Sequence, residues 1–253
     1  MPTLPTSDGD LFYTWRDGHK PPLLLLHGAA SSHLAWPAQL RSLPRRAILA
    51  PDLSGHGRSG GVGHQTIHAY ARSVLAFLDA LNLPSVVPVG HSMGGAIAQA
   101  LALLAPQRCA GLILIATAAR FQVNQRLLEL AQTDLTQTAA LLNQWSWSKN
   151  APADLKAADL AALQASNATV LYGDYLACHT FDSSEQLAQI TAPCLVLYGQ
   201  ADKMITPALS LALSAALPQA QAVEIPTAGH WVTLEQPQAV TDAIQAWLEA
   251  TAL

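Results

Sequence analysis

Short, almost wholly apolar runs alternate along this chain with stretches whose apolar residues recur every three or four positions. The runs lie at 23–26, 47–50, 86–89, 111–115 and 194–198, with a weaker one at 222–225. A strand covered on both faces of its sheet has this unbroken pattern. Residues 10–16 read as a further short strand, closed by the Asp17-Gly18 turn. Between the runs, Ile67, Tyr70, Ala71, Val74, Leu75, Leu78 and Leu81 fall on one helix face. Ala96, Ile97, Ala100, Leu101 and Leu104 do the same, with Pro106 just beyond the end. Val240, Ile244, Trp247 and Leu248 give a closing helix. Strands alternating with helices predict an α/β fold, a mostly parallel sheet flanked by helices.

One stretch breaks the alternation. Residues 117–187 contain no clear strand, only helical patches at 127–130, 135–142 and 155–163. A structureless loop of that length does not suit a compact domain. The segment is read as a helical cap, or lid, inserted between two core strands. The chain then divides into a core of residues 1–116 and 188–253 and a cap of residues 117–187.

Composition narrows the function classes. A chain of 253 residues can bury roughly three quarters of its unfolded surface and needs no disulfide staples. Its three cysteines, Cys109, Cys178 and Cys194, form no C-x-x-C pair, which argues against a disulfide framework or a zinc site. No metal-ligand cluster and no phosphate-binding glycine loop is visible, so no metal and no cofactor are expected. The net charge of −4 without a basic stripe argues against nucleic acid as a partner. The first residues lack the basic and apolar regions of a signal peptide. The longest apolar stretch, 110–119, is too short to span a bilayer. No stable membrane insertion and a cytoplasmic location are expected, and nothing in the pattern specifies an oligomer.

The chemistry centres on Gly90-His91-Ser92-Met93-Gly94, a Gly-x-Ser-x-Gly sequence that follows a buried strand and opens an amphipathic helix. The glycines allow strand and helix to cross closely, leaving Ser92 at the tip of a sharp turn. A serine hydroxyl needs a base to take its proton and an acid to orient that base. Of nine histidines, His230 stands in Gly229-His230-Trp231, the loop between the last strand and the last helix. His64, His68 and His179 are less well placed. The acid follows the 194–198 strand, where Gly199-Gln200-Ala201-Asp202 supplies Asp202, while residues 116–120 hold no carboxylate. Acyl transfer also needs N–H donors aimed at the developing oxyanion. Met93, next to the nucleophile, and Ala29, in the turn after the 23–26 strand, are the candidates. His27, Asp52 and His56 are read as structural, the last two in the glycine-rich loop that runs to Ser59.

Together, His27-Gly28, the Asp52 to Ser59 loop, Gly90 to Gly95, Gly199 to Asp202 and Gly229-His230-Trp231 resemble the α/β-hydrolase family along essentially the whole chain. The resemblance implies that fold, with the cap roofing the site. It also implies a sheet of eight strands, of which the first antiparallel one is expected to be missing here. Substrate-pocket candidates are the cap residues Phe121, Trp145, Trp147, Tyr172, Tyr175 and Phe181, with Trp231 from the core. Ser92 separates the chain from family branches with an Asp or Cys nucleophile. Gly-His-Ser-Met-Gly-Gly resembles bacterial carboxylesterases and monoacylglycerol lipases. The expected activity is therefore hydrolysis of small to medium carboxylic esters, a small-molecule substrate, through an acyl-enzyme. Gly-His-Trp also resembles hydrolases that cleave carbon–carbon bonds in ring-fission products, which commonly carry Asn in place of His91. Carbon–carbon or lactone hydrolysis, cofactor-free perhydrolase activity and a receptor role are the alternatives.

Overall fold

The computed structural model describes residues 2–6 and 8–253. Among these, eight strands form one sheet: β1 (Thr3–Thr6), β2 (Gly9–Arg16), β3 (His19–Leu26), β4 (Arg46–Pro51), β5 (Val87–His91), β6 (Leu112–Ile115), β7 (Cys194–Gly199) and β8 (Ala220–Ile225). Their spatial order is β1-β2-β4-β3-β5-β6-β7-β8. The β1/β2 and β2/β4 pairs are antiparallel, and every other pair is parallel. The first antiparallel strand, expected to be missing, is therefore present. Its sequence, Thr-Leu-Pro-Thr, carries no strand signal of its own. It holds as an edge strand with β2 as its partner, where Pro5 is tolerated.

The apolar runs become strands for the reason their pattern suggests. In β3, Leu24 and Leu26 face one core layer while Leu23 and Leu25 face the other, and all four are fully buried. Burying each leucine contributes about 2 kcal/mol. Strand β3 starts earlier than the apolar run because the chain still pairs with β4 at His19; the register shifts between His19 and Leu23, across Pro21 and Pro22.

Helices α1 (Ala38–Arg41), α2 (Ile67–Ala80) and α3 (Met93–Leu104) follow the first strands. Between β6 and β7 the chain runs through α4 (Gln125–Thr133), α5 (Leu135–Ser146), α6 (Ala153–Gln164) and α7 (Ala168–Thr180). Then come α8 (Pro207–Ala216), α9 (Val232–Glu235) and α10 (Pro237–Ala250). Side chains of α2 and α3 build one core layer and those of α1 and α10 the other. Helices α4 to α7 hold a cluster of their own around Leu127, Ala131, Leu142 and Leu171. Helix α7 has no apolar stripe, because its buried face includes Gly173, Asp174 and Cys178. Among the described residues, no helix is long and apolar enough to cross a membrane.

Candidate active site

The loops that leave the carboxyl ends of β3, β5, β7 and β8 meet at Ser92. Ser92 is the single residue between β5 and α3, at φ +53° and ψ −118°. It is held there by its amide, which donates to Ile115 O at 2.9 Å, and by its carbonyl, which accepts from Thr117 Oγ1 at 2.8 Å. The flanking glycines are required by contact. A Cβ on Gly94 would overlap the Leu26 carbonyl, and one on Gly90 would overlap the Gly94 carbonyl.

His230 and Asp202 complete a continuous hydrogen-bonded chain. His230 Nε2 lies 3.0 Å from Ser92 Oγ, and His230 Nδ1 lies 2.8 Å from Asp202 Oδ2. The other carboxylate oxygen, Oδ1, accepts the amides of Met204 and Ile205 at 2.8 and 2.9 Å. Asp202 and His230 are each only 4% exposed. The three residues proposed from sequence are thus brought together at bonding distance.

The loop carrying His230 is tied down on several sides. Its amide donates to Ser146 O at the end of α5, at 2.8 Å. The amide of Gly229 donates to Glu235 Oε1 at 3.0 Å. His91 Nε2 lies 2.9 Å from the His230 carbonyl, and the His91 ring stacks on Trp231 with centroids 4.9 Å apart. Burial, reinforced by the neighbouring His230, pushes His91 down to about 3. It is therefore a neutral ring, donating Nε2–H to that carbonyl.

Ala29 lines the cavity beside Ser92, and Met93 is fully buried behind it. Among the described residues, neither amide donates to a protein acceptor. The next amide, Ala30 N–H, is committed to Asp174 Oδ2 at 2.8 Å. Asp174 also accepts from Tyr70 Oη at 2.6 Å and pairs with His56 Nε2 at 2.7 Å. His27 Nε2 accepts the Leu53 amide at 3.0 Å, so its Nδ1–H faces Gly28 O at 2.8 Å. Burial, with His56 nearby, lowers the pKa of His27, which keeps it neutral. Asp52 is buried and accepts from the His33 and Arg58 amides at 2.6 and 2.9 Å. His27, Asp52 and His56 all sit in hydrogen-bonded frames away from Ser92 Oγ.

Two spaces open on Ser92, and a third adjoins the smaller of them. An inner cavity of 220 Å³ is lined by Ser92, His230, Phe121, Trp145 and Tyr175. An outer cavity of 560 Å³ is lined by Trp147, Trp231, Asp159 and Leu163. A small space of 30 Å³ joins them, sharing Ser92, His230 and Tyr175 with the inner cavity and Asp159, Leu163 and Trp231 with the outer. The sequence candidates therefore divide. Phe121, Trp145 and Tyr175 stand beside Ser92, whereas Trp147 and Trp231 belong to the outer side. Tyr172 and Phe181 line none of these spaces. Tyr172 packs against the α4–α7 cluster, and Phe181 is buried in the layer beneath. Both were predicted from aromatic character, which marks a packing residue as well as a pocket wall.

Asp159, Asp174 and Glu235 were missed by sequence reasoning, since a lone carboxylate in a helix gives no local signal. Cys178 lines the inner cavity, but burial raises its pKa well above the usual thiol range, so it is a thiol. Among the described residues, no group of three His, Cys, Asp or Glu side chains is arranged to hold a metal ion.

The chain matches a family model described as the alpha/beta hydrolase fold over residues 21–237. A pimeloyl-(acyl-carrier protein) methyl ester esterase from Pectobacterium atrosepticum is 28% identical, over 90% of this chain and 94% of its own. A 2-hydroxy-6-oxo-2,4-heptadienoate hydrolase from Pseudomonas putida is 26% identical, over 90% and 89%. The solved structure of a thermophilic esterase from Thermogutta terrifontis, bound to malate, superposes with a TM-score of 0.89 at 29% identity, covering 99% of this chain and 98% of that one. By its sheet order, the sequence of its motifs and these matches, the chain belongs to the alpha/beta hydrolase family.

Proposed function

We propose that the chain is a serine hydrolase of carboxylic esters, with Ser92 as nucleophile, His230 as general base and Asp202 as the acid that orients it. The observation that carries this reading is the hydrogen-bonded chain Ser92–His230–Asp202, with Ser92 strained at the meeting of two cavities. An ester can span the site with one half in each space.

Ser92 Oγ attacks the ester carbonyl carbon as its proton passes to His230 Nε2. Asp202 holds Nδ1–H and stabilises the imidazolium. The carbonyl oxygen, now negative, accepts the free amides of Ala29 and Met93. The second lies at the N-terminus of α3, where negative charge is favoured. Collapse expels the alcohol, which takes the proton from His230, and leaves Ser92 acylated. Water then attacks the acyl carbon while His230 takes its proton, and the acid departs with Ser92 regenerated. No step calls on a metal or cofactor.

The test pairs a panel of p-nitrophenyl and short-chain alkyl esters with a ring-fission dienoate, in wild type and in Ser92→Ala. We expect ester turnover, covalent labelling of Ser92 by an organophosphonate, and loss of turnover on the order of a million-fold in the variant. Turnover of the dienoate far above every ester would replace the ester reading with carbon–carbon hydrolysis. Retention of more than about a hundredth of the activity by Ser92→Ala would remove Ser92 as nucleophile.

A further inference from the structure

The space on the outer side of Ser92 contains two polar atoms without partners. Asp159, on α6, uses Oδ2 to accept from both Asn143 Nδ2 and Trp147 Nε1, each at 2.9 Å. Among the described residues, Oδ1 accepts from no protein donor. Trp231 Nε1 is buried and donates to nothing. Burial raises the pKa of Asp159, and the Trp147, Asn143 and Trp231 donors pull against that rise; the Trp231 indole thus faces the carboxyl, but outside good hydrogen-bond geometry. Both residues line the outer cavity and also the small space that opens on Ser92 and His230. The outer wall is mostly apolar, with Leu155, Ala158, Ala162, Leu163 and Leu234, and carries Ser31, Ser32, Ser166 and Asn167 as well.

A free acceptor beside a free donor in apolar surroundings selects among ligand groups. A carboxylate accepts from Trp231 but is repelled by Asp159. An ammonium donates to Asp159 but offers Trp231 no acceptor. An alkyl group satisfies neither. A hydroxyl donates through its O–H and accepts through its lone pairs, so it satisfies both. We propose that Asp159 and Trp231 form a hydroxyl-recognising subsite, and that the preferred substrates are esters whose outer half carries a hydroxyl group. The inference rests on the ester reading above and adds the substrate class.

The test compares each hydroxylated ester with the analogue in which methyl replaces hydroxyl. On the alcohol side the pairs are 2-hydroxyethyl with propyl butyrate and 3-hydroxypropyl with butyl butyrate. On the acyl side the pair is methyl 6-hydroxyhexanoate with methyl heptanoate. The quantity read is the ratio of kcat/KM within a pair, which cancels any common loss of rate or of folded enzyme. In wild type we expect at least one pair to favour the hydroxyl by about tenfold or more, because an analogue without the hydroxyl displaces solvent from the half-buried Asp159 carboxyl and leaves the buried Trp231 N–H unpaired. Asp159→Asn replaces the acceptor by a donor, and Trp231→Phe removes the donor while keeping a ring. Trp231→Phe should bring that ratio near one, whereas Asp159→Asn, whose NH₂ can still donate to a hydroxyl lone pair, should lower it less. Wild-type turnover without hydroxyl preference overturns the inference alone and leaves a trapped water as the partner of these atoms. So does a preference that survives both substitutions. Absence of all ester turnover, together with no organophosphonate label on Ser92, overturns the ester reading and the inference with it.

Discussion

Ser92 occupies a backbone region, φ +53° and ψ −118°, that side chains adopt only under constraint. Such strain costs on the order of 1–3 kcal/mol. It persists because Gly90 and Gly94 let β5, α3 and the end of β3 lock the turn from three directions. The usual stability order of alanine over glycine should therefore reverse here. Both Ser92→Ala and Ser92→Gly lose the hydroxyl, but only glycine relieves the strain. We expect Ser92→Gly to melt higher than Ser92→Ala by about 2–4 °C; the opposite order would mean the turn is unstrained. Asp202 uses its two oxygens differently, Oδ2 toward His230 and Oδ1 toward backbone amides. Its Oδ1 is committed to two amides, so in Asp202→Asn the amide oxygen stays there and the NH₂ turns to His230. His230 Nδ1 must then accept, which moves the ring proton to Nε2 and removes the lone pair that Ser92 needs. We expect kcat to fall by about ten-thousand-fold with little change in KM. Asp52→Asn, where three donors converge on the carboxylate, should instead lower Tm, by about 1–3 kcal/mol of stability. Equal catalytic losses with unchanged Tm in both variants would contradict this division.

Among the elements, α7 packs Ala177 and Cys178 into the core layer and hydrogen-bonds to the core through Asp174. It takes the His56 imidazole, the Tyr70 hydroxyl and the Ala30 amide, the last beside the oxyanion candidate Ala29. Burial by itself drives the pKa of His56 down. The charge and hydrogen bond of Asp174, with the Ser54 carbonyl and Asp52, outweigh it, so the net shift is upward from 6.5. A folded pKa above the unfolded one stabilises the fold fully at pH below 6.5, and that contribution is lost as pH rises through the folded value. The gap in unfolding free energy between wild type and His56→Gln should thus be widest in mildly acidic buffer and narrow on the alkaline side. A gap independent of pH would mean that folding leaves the His56 pKa unshifted, and a gap that narrows toward acid would mean that it is lowered. This network also marks where the sequence was legible and where it was not. Strands β3, β5, β6 and β7 and helices α2, α3 and α10 were readable because their apolar residues follow one period. Helix α7 was not, since Gly173 and Asp174 stand where a stripe would put large apolar residues. Helix α8 was not distinguished either; its Ala-, Leu- and Ser-rich sequence buries mainly Ser210 and Leu213. Strand β1 depends wholly on its pairing with β2.

In the molecule as a whole, the sheet places Ser92, Asp202 and His230 in loops at the carboxyl ends of its strands, where α/β folds open their crevice. The β6–β7 insertion supplies most of the surrounding walls. Ser92, Asp202 and His230 were legible because turn glycines and loop position are local properties of sequence. Which aromatics face the cavity was not, because that depends on how α4, α5 and α7 pack. Phe121, Trp145 and Tyr175 line the inner cavity with Ser92, whereas Tyr172 and Phe181 line none of the three spaces. Trp145→Ala and Phe121→Ala should enlarge the space beside the nucleophile and move selectivity toward longer esters. The shift is about tenfold in the ratio of kcat/KM for each 1.4 kcal/mol of differential binding. The series should be lengthened first on the acyl side and then on the alcohol side, so that either seating of the ester is read. Phe181→Ala empties a buried site in the core layer and should cost about 3–5 kcal/mol of stability. Its selectivity ratio, measured on the enzyme that remains folded, should stay at the wild-type value. Tyr172→Ala should likewise leave the ratio alone. If the Trp145 and Phe121 variants kept the wild-type ratio while that of Phe181→Ala moved, the wall that measures the substrate would lie in the core layer and not in the insertion.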